Sequence, residues 1–286
     1  MIGGAYSGAA GPWIGRAGVL LALAVLAALA WGWFEAGWVR LRTLELAVPG
    51  LPAELDGLRI AHLSDFHLGV PSRGRRAVAR AVDWVAERNP DLVVLTGDLL
   101  SRPGGEAELR SLVARLPPSY AVLGNHDFAL GRDPFSKPVA LTQLPGTTFL
   151  SDAAVEIDLR GVRVELAGID PRSWLAKRRS DFESSDAPLR ILLCHFPGVL
   201  DRVEPGRFHL ILSGHMHAGQ ITVPYGFGRL QLAHLGAKYV EGIYRSERST
   251  MHVSPGLGTT FVPFRFFARP EATELVLRAR SGMRPR

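Results

Sequence analysis

The chain has 286 residues with a formal net charge of +6 and a sequence pI near 10.0. Hydrophobic residues make up 47% and charged residues 21%, which suits one globular domain with a substantial core, and the single cysteine excludes an intramolecular disulfide framework. The basic balance favours anionic partners such as phosphoesters or lipid headgroups, unless the arginine-rich composition has no functional meaning. No long Lys/Arg block is present, so no nucleic-acid partner is expected.

The first predicted element is an uncharged apolar segment, Ala17–Phe34. Its roughly 18 residues would form a helix of about 27 Å, near the lower limit for spanning a bilayer. Trp31, Trp33 and Trp38 cluster at its end, as in the aromatic belt at a membrane interface. We therefore expect a membrane anchor, with a cleaved signal peptide and a buried core helix as the alternatives.

The basic residues that flank this segment bear on its orientation. Arg16 precedes it, whereas Arg40 and Arg42 follow it. The slight excess after the segment favours a cytoplasmic location for the domain that follows. We assign residues 1–48 to the anchor and a linker, and residues 49–286 to a single domain.

The next part of the chain alternates strand-like and helix-like patterns. Apolar runs at Leu58–Leu63, Leu92–Leu95 and Tyr120–Leu123 predict buried strands, and Arg75–Asn89 and Glu106–Leu116 predict helices between them. This β-α-β-α-β order predicts a parallel sheet with helices on its faces.

A different pattern follows in the second half. Ala154–Leu159 and Val162–Ala167 predict a hairpin that leads into a second sheet. Arg190–Leu193 and His209–Leu212 predict further buried strands, and Ala272–Leu277 a last one. Two β-rich layers flanked by helices, an α/β sandwich, is the architecture that we expect.

Several of the predicted strands end in side chains that are costly to bury without partners. In open α/β sheets, such strand ends meet at the crevice where ligands bind. Mixed imidazole and carboxylate donors suit Mn, Fe or Zn better than Ca. Taken singly, a Gly-Asp turn or a buried histidine is usually structural, but five such segments together predict a metal site. The donors are Asp65, His67, Asp98, Asn125, His195, His215 and His217.

The donors belong to motifs that follow one another along the chain: Asp65-Phe66-His67, Gly97-Asp98, Gly124-Asn125-His126-Asp127, His195 and Gly214-His215-Met216-His217. This series resembles that of the calcineurin-like metallophosphoesterases. The resemblance covers Leu58 to Leu277, and it implies a four-layer α/β/β/α sandwich of two mixed sheets. Together with the apolar N-terminal segment, residues 214–220 and 255–258 resemble the membrane-associated bacterial branch of that superfamily.

The resemblance also implies a ligand set for two divalent metal ions, with manganese as the first choice and iron or zinc as alternatives. Asp98 would bridge the two ions. The first ion would be held by Asp65, His67, Asp98 and His217. The second ion would be held by Asp98, Asn125, His195 and His215.

Two further residues are implied to act in catalysis. His126 would lie beside the phosphoryl group, where it stabilises developing charge or protonates the leaving oxygen. Asp127 would orient the imidazole of His126, unless it caps a following helix.

The implied reaction is hydrolysis of a phosphoester or pyrophosphate bond by a metal-bridging hydroxide. The branch suggests a membrane glycolipid substrate such as UDP-2,3-diacylglucosamine, acted on at the bacterial inner membrane. Arg265, within the aromatic stretch Phe261–Phe267, is a candidate substrate-binding residue if that stretch meets the membrane; the alternative is a packed β core with Arg265 paired. A phosphodiesterase or phosphomonoesterase for other substrates and a non-catalytic metal-binding scaffold are the alternative functions.

Overall fold

The computed structural model describes residues 11–130, 133–139, 141–178, 182–246 and 248–279. Residues 1–10 of the predicted anchor and residues 280–286 of the predicted domain lie outside the described residues. The helices are α1 (Gly11–Glu35), α2 (Gly74–Arg88), α3 (Glu106–Val113) and α4 (Pro171–Leu175). The strands are β1 (Arg40–Val48), β2 (Arg59–Leu63), β3 (Leu92–Thr96), β4 (Ser119–Val122), β5 (Thr147–Phe149), β6 (Ala153–Leu159), β7 (Val162–Gly168), β8 (Leu189–Leu193), β9 (Leu210–Ser213), β10 (Thr222–Tyr225), β11 (Gly228–Gln231), β12 (Gly242–Arg245), β13 (Thr250–Val253) and β14 (Glu271–Ala279).

Helix α1 extends away from the rest of the fold. Its residues 15–31 are all exposed, and the segment Gly15–Glu35 is long and apolar enough to cross a membrane. The predicted transmembrane-helix candidate is therefore confirmed, and the exposure of α1 excludes a buried core helix. The helix begins at Gly11, before the uncharged segment that starts at Ala17. It continues through Arg16 because arginine is a good helix former.

The first sheet is mixed, with the strand order β1-β14-β2-β3-β4-β5. Strands β2 to β5 are parallel, whereas β14 pairs antiparallel with β2 and parallel with β1. Strand β1 corrects the assignment of residues 40–48 to a linker, because Arg40 lies opposite Glu271 and Val48 opposite Ala279. Parallel pairing of segments so distant in sequence leaves no local pattern by which it could be predicted.

The second sheet is also mixed, with the order β12-β13-β9-β8-β7-β6. Its four inner strands are parallel, and both edge strands pair antiparallel. The predicted hairpin is β6–β7, which turns at Arg160 and Gly161, both in the left-handed region of φ. The main core lies between the two sheets and includes Leu46, Ile60, Val94, Leu166, Ile191 and Leu212.

Helices and turns cover the outer faces of the two sheets. Helices α2 and α3 pack on the outer face of the first sheet, with Val78, Val82 and Leu109 buried against it. The outer face of the second sheet is covered by α4 through Trp174 and by the short 3-10 turn Pro197–Asp201. The predicted four-layer sandwich of two mixed sheets is confirmed, although its fourth layer is thin.

The last turn of α1 packs against the loop 263–268. The carbonyl oxygen of Gly32 accepts a hydrogen bond from the Arg265 backbone N–H at 3.0 Å. Oε1 of the buried Glu35 accepts one from the Ala268 N–H at 2.8 Å. The end of the apolar helix is therefore attached to the domain by buried hydrogen bonds rather than joined to it by a free linker.

One alanine occupies a backbone conformation that favours glycine. Ala218, in the turn that follows β9, has φ 52° and ψ 28°. We expect Ala218→Gly to raise the free energy of unfolding by about 0.5–1 kcal/mol, because glycine adopts this conformation without a Cβ clash. Urea unfolding of the detergent-solubilised chain measures the change. The control is Ala79→Gly within α2, which should destabilise by about 1 kcal/mol; destabilisation by both variants would contradict the expectation.

Candidate metal centre

The polar groups at the strand ends converge at the edge where the two sheets meet. Their side chains form three overlapping clusters, and within each cluster the possible ligand atoms lie within 4.8 Å of one another. All of the residues involved are buried except His215, which is partly exposed. The first cluster consists of Asp65, His67 and His217. The second consists of His67, Asp98 and His126, and the third of Asp98, His195 and His215.

The first group of predicted ligands surrounds one point. Nε2 of His67 lies 3.0 Å from Nε2 of His217, and the latter lies 3.4 Å from Oδ1 of Asp65. Oδ2 of Asp98 lies 3.6 Å from Nε2 of His67. The predicted set for the first ion is therefore gathered in one place, on loops that follow β2, β3 and β9.

The second group lies on the other side of Asp98. Nε2 of His195 is 3.1 Å from Oδ2 of Asp98 and 3.1 Å from Nδ1 of His215. Oδ1 of Asn125 is buried and has no hydrogen-bond partner among the described residues. The loops after β3, β4, β8 and β9 thus bring the second predicted set together, and Asp98 belongs to both sets.

The residues present fit divalent cations. Ligand atoms bound about 2.1 Å from one ion lie about 3.0–3.4 Å apart in octahedral or tetrahedral geometry, which matches most of the separations above. A ring nitrogen that faces another ring nitrogen, and an unpartnered buried amide oxygen, leave lone pairs that a cation would satisfy. The donor set is that of an imidazole- and carboxylate-binding metal.

The backbone at the site is strained. Asp65, His67, Asp98, His215 and His217 all have positive φ, between 48° and 76°. For residues other than glycine this conformation costs on the order of 1 kcal/mol each, and it is concentrated at functional sites. The turns that follow the strands therefore direct these side chains inward at a cost in stability.

Glycines allow the loops to approach one another closely. A Cβ on Gly124 would overlap Oδ1 of Asp98, and a Cβ on Gly214 would overlap Oγ of Ser64. The glycines of the two motifs are thus required by packing around the site.

The charge balance of the site depends on Asp98 and His195. Burial disfavours the charged form of His195, but the adjacent Asp98 carboxylate outweighs it and raises the pKa of His195 to about 9. Conversely, burial would raise the pKa of Asp98, yet His195 and His126 hold it well below the usual value. Burial and the nearby His195 lower the pKa of His215 to about 3. The metal-free centre is thus a buried ion pair.

His126 lies next to a cavity of about 520 Å³ that Asp98, Asn125 and His215 also line. Its Nδ1 is 2.6 Å from Oγ of Ser136, and its Nε2 is 4.0 Å from Oδ2 of Asp98.

The structure places Asp127 elsewhere than expected. Its carboxylate oxygens accept hydrogen bonds from the backbone N–H groups of Leu100, at 2.9 Å, and Gly124, at 2.8 Å. The carboxylate therefore joins the loops after β3 and β4, and Nδ1 of His126 contacts Ser136 instead. Burial and the nearby Asp98 raise the pKa of Asp127 to about 7.

The residues that surround His126 belong to none of the sequence motifs. Oδ2 of Asp133 lies 3.7 Å from Nδ1 of His126, and Oγ1 of Thr260 lies 3.4 Å from its Nε2. With Ser136, these residues come from irregular loops without a motif. Their position is set by tertiary contacts, so no local pattern could have identified them.

Arg265 is not positioned to contact substrate. Its side chain is fully buried, and its guanidinium donates hydrogen bonds to the carbonyl oxygens of Gly258, Pro255 and Ala268. Nη2 lies 3.2 Å from Nδ1 of His217. Burial lowers the pKa of Arg265 to about 10. The candidate substrate contact is therefore corrected in favour of the alternative, a buried and paired Arg265, although its partners are loop carbonyl oxygens rather than groups of a packed β core.

Hydrolysis of a phosphoester requires groups that neutralise the phosphoryl oxygens and activate water. The buried carboxylate and imidazole donors around Asp98 could hold cations for both tasks. Set at the strand ends of a two-sheet α/β sandwich, this arrangement is that of a metal-dependent phosphoesterase. A sequence profile of the calcineurin-like phosphoesterase family matches residues 58–219, more than half of the chain. The chain belongs to this family.

Several known proteins are similar to the chain. A Danio rerio transmembrane protein with a metallophosphoesterase domain is 36% identical over 82% of this chain, which spans 56% of that protein's length. The Bacillus subtilis metallophosphoesterase YkuE, named as uncharacterized, is 30% identical over 80% of this chain and 82% of its own. A second Bacillus subtilis metallophosphoesterase, YkoQ, is 29% identical over 78% of this chain and 84% of its own.

The raised pKa of His195 predicts that metal affinity depends on pH. A ligand imidazole must be neutral, so below about pH 9 the cation has to displace one proton from His195. Apparent Mn²⁺ affinity of the metal-stripped chain should therefore rise by up to about tenfold per pH unit between pH 6.5 and 8.5. Isothermal titration calorimetry in buffers of different ionisation enthalpy measures both the affinity and the released proton.

His234 provides the control for this titration. It lies near the same cavity, but burial lowers its pKa, so it is already neutral in this range. His234→Gln should keep the pH slope. An affinity independent of pH in the unsubstituted chain would contradict the assignment of the proton to His195.

Proposed function

We propose that this chain hydrolyses a phosphoester carried by a membrane lipid, with two divalent cations bound around Asp98. The observation that carries the proposal is the convergence of buried carboxylate, amide and imidazole donors from both sheets beside an open cavity. Asp65, His67, Asp98 and His217 would hold one ion. Asp98, Asn125, His195 and His215 would hold the other. Manganese is the first choice, because mixed oxygen and imidazole donors suit it, with iron or zinc as alternatives.

When bound, the cations would neutralise the phosphoryl oxygens and lower the pKa of a water molecule. The chain's own contribution is position and proton transfer. Nδ1 of His126 contacts Ser136, whereas its Nε2 lies 4.0 Å from Oδ2 of Asp98 and 3.4 Å from Oγ1 of Thr260, so Nε2 is the nitrogen on the side of the proposed metal centre. In the proposal, this imidazole stabilises charge on the phosphoryl group or protonates the leaving oxygen. Asp127 supports it indirectly, by holding the loops that carry Asp98 and His126.

The position of the site relative to α1 supports a lipid-linked substrate. The loop that carries Arg265 packs against the last turn of α1, and the Arg265 backbone N–H donates a hydrogen bond to it. The Arg265 side chain contacts His217, a proposed metal ligand. A helix that crosses the bilayer would therefore hold the metal centre close to the membrane surface. The similarity to a protein named as transmembrane supports the same location.

The finer assignments rest on sequence resemblance. UDP-2,3-diacylglucosamine, or a related glycolipid pyrophosphate, is the first candidate substrate. The flanking arginines, Arg16 near the start of α1 and Arg40 and Arg42 after it, favour a single-pass protein of the bacterial inner membrane with its catalytic domain in the cytoplasm. A phosphodiesterase or phosphomonoesterase for other substrates is the alternative with the same chemistry.

Substitutions at two residues separate catalysis from mere metal binding. Asp98→Ala should lose both bound metal and activity, because it removes the ligand shared by both sets. His126→Ala should keep the metal but lose about 10²–10⁴-fold in kcat, the usual contribution of a general acid. Metal content by atomic emission and Mn²⁺-dependent hydrolysis of bis-p-nitrophenyl phosphate provide the measurements. Wild-type turnover in the His126 variant would remove its assigned role, and metal binding without any turnover in the unsubstituted chain would favour a scaffold.

A substrate panel tests the lipid-linked assignment. The full chain in detergent is given UDP-2,3-diacylglucosamine, phosphatidic acid, a nucleotide diphosphate sugar without acyl chains and a soluble phosphomonoester. Because α1 keeps the site at the membrane, acylated substrates should have kcat/KM at least about tenfold above their soluble counterparts, as expected if each chain contributes apolar binding. Equal rates on acylated and soluble compounds would reject the lipid-linked substrate while leaving the hydrolase assignment in place.

A further inference from the structure

Large apolar side chains are exposed in the segments next to the metal-centre cavity, and two of them, Phe261 and Val262, line it. They come from the hairpin β10–β11, the segment that follows it, and the loop before β14. We call these residues the apolar rim: Val223, Tyr225, Phe227, Leu230, Leu232, Leu235, Phe261, Val262 and Phe267.

The hairpin exposes these residues without an evident structural reason. Phe227 lies at the tip between two glycines and is fully exposed, and Tyr225 beside it is 62% exposed. Single exposed apolar residues are ordinary, but a contiguous set marks a surface that contacts a partner or a membrane. Aromatic residues at a hairpin tip are suited to the interface between headgroups and acyl chains, where an apolar ring and a polar edge are both accommodated.

The rim is continuous with the end of α1. At the base of the hairpin, Thr222 donates its backbone N–H to the carbonyl oxygen of Phe266 at 3.0 Å. The ring of Phe266 packs so closely on Gly32 of α1 that a side chain there would overlap it. Next to it, Phe264 packs edge-on against Trp33, with 6.4 Å between ring centroids. The same loop therefore contacts both the apolar helix and the hairpin.

The charge of this part of the chain does not oppose insertion at a headgroup surface. Residues 205–240 and 248–270 contain no aspartate or glutamate. Of the nearby basic residues, Arg229 pairs with Glu241 at 3.0 Å and Lys238 with Asp201 at 2.7 Å, so their charges are balanced outside these segments. The apolar rim itself contributes no acidic group that insertion would have to bury.

We propose that the apolar rim inserts into the headgroup region of the bilayer that α1 crosses, as a second membrane contact of the domain. The rim includes Phe261 and Val262, which line the cavity with His126 and His215, so the cavity mouth then faces the lipid surface. A phosphoester would enter from the plane of the membrane rather than from solution. The membrane position of α1 is part of the proposed function, but the insertion of the rim does not depend on catalysis.

Site-specific fluorescence tests this contact in the full chain. The single cysteine, Cys194, is buried, so Phe227→Cys or Tyr225→Cys provides one reactive thiol for an environment-sensitive NBD label. The labelled protein is reconstituted into phosphatidylethanolamine/phosphatidylglycerol liposomes with and without doxyl-labelled phosphatidylcholine. Both tip positions should show a blue-shifted emission and lose about half or more of it to the doxyl lipids, as expected for residues at headgroup depth.

Two matched positions control the measurement. Asp186→Cys is exposed just before β8, at the end of that strand opposite to the metal centre, and should stay unquenched. Leu23→Cys in α1 should be quenched if the helix is inserted, which reports the membrane part of the proposed function separately. Unquenched tip labels overturn the rim proposal whatever Leu23→Cys shows. A blue shift without doxyl quenching overturns it as well, and would assign the rim to a contact with protein, such as a second copy of the chain.

Discussion

The centre of this structure is the buried carboxylate of Asp98. It lies where the strand ends of two sheets meet, 3.1 Å from Nε2 of His195 and 3.6 Å from Nε2 of His67, and it accepts the His126 N–H at 2.8 Å. A carboxylate in this position is costly to bury unless positive charge surrounds it. In the metal-free chain His195 supplies that charge, and bound cations would supply it in the active protein. The fold is arranged so that the loops after β2, β4, β8 and β9 provide the remaining partners.

This arrangement has a cost that the rest of the fold offsets. The turns that carry the candidate ligands have positive φ values, from 48° at His67 to 76° at His215. L residues disfavour this conformation. Such turns persist only when the neighbouring elements are rigid. The apolar layer between the sheets, with residues such as Ile60 and Ile191 fully buried, supplies this rigidity. The stability of the core thus permits strain at the edge where chemistry takes place.

The apolar helix and the metal centre are physically connected. Gly32 and Glu35 at the end of α1 accept hydrogen bonds from the loop that carries Arg265. Within that loop, Arg265 turns inward, bonds three carbonyl oxygens and contacts His217. An arginine beside a cation site would normally repel the metal, yet here it is engaged with carbonyl dipoles and faces the far side of the imidazole. The apolar helix is therefore part of the structural support of the site.

The sequence by itself determined the apolar helix, the strand and helix order and the polar groups that follow the strands, since each of these is a pattern within a few neighbouring residues. The motif series likewise predicted the calcineurin-like phosphoesterase family, whose sequence profile matches residues 58–219. Only the tertiary structure decided that residues 40–48 are a sheet strand, because β1 pairs with the distant β14. It also decided that the Asp127 carboxylate accepts hydrogen bonds from backbone N–H groups, whereas Ser136 contacts His126. The burial of Arg265 is likewise a property of the tertiary structure. The direction of a side chain on an irregular loop depends on which distant carbonyls and amides lack partners, and that information is not local.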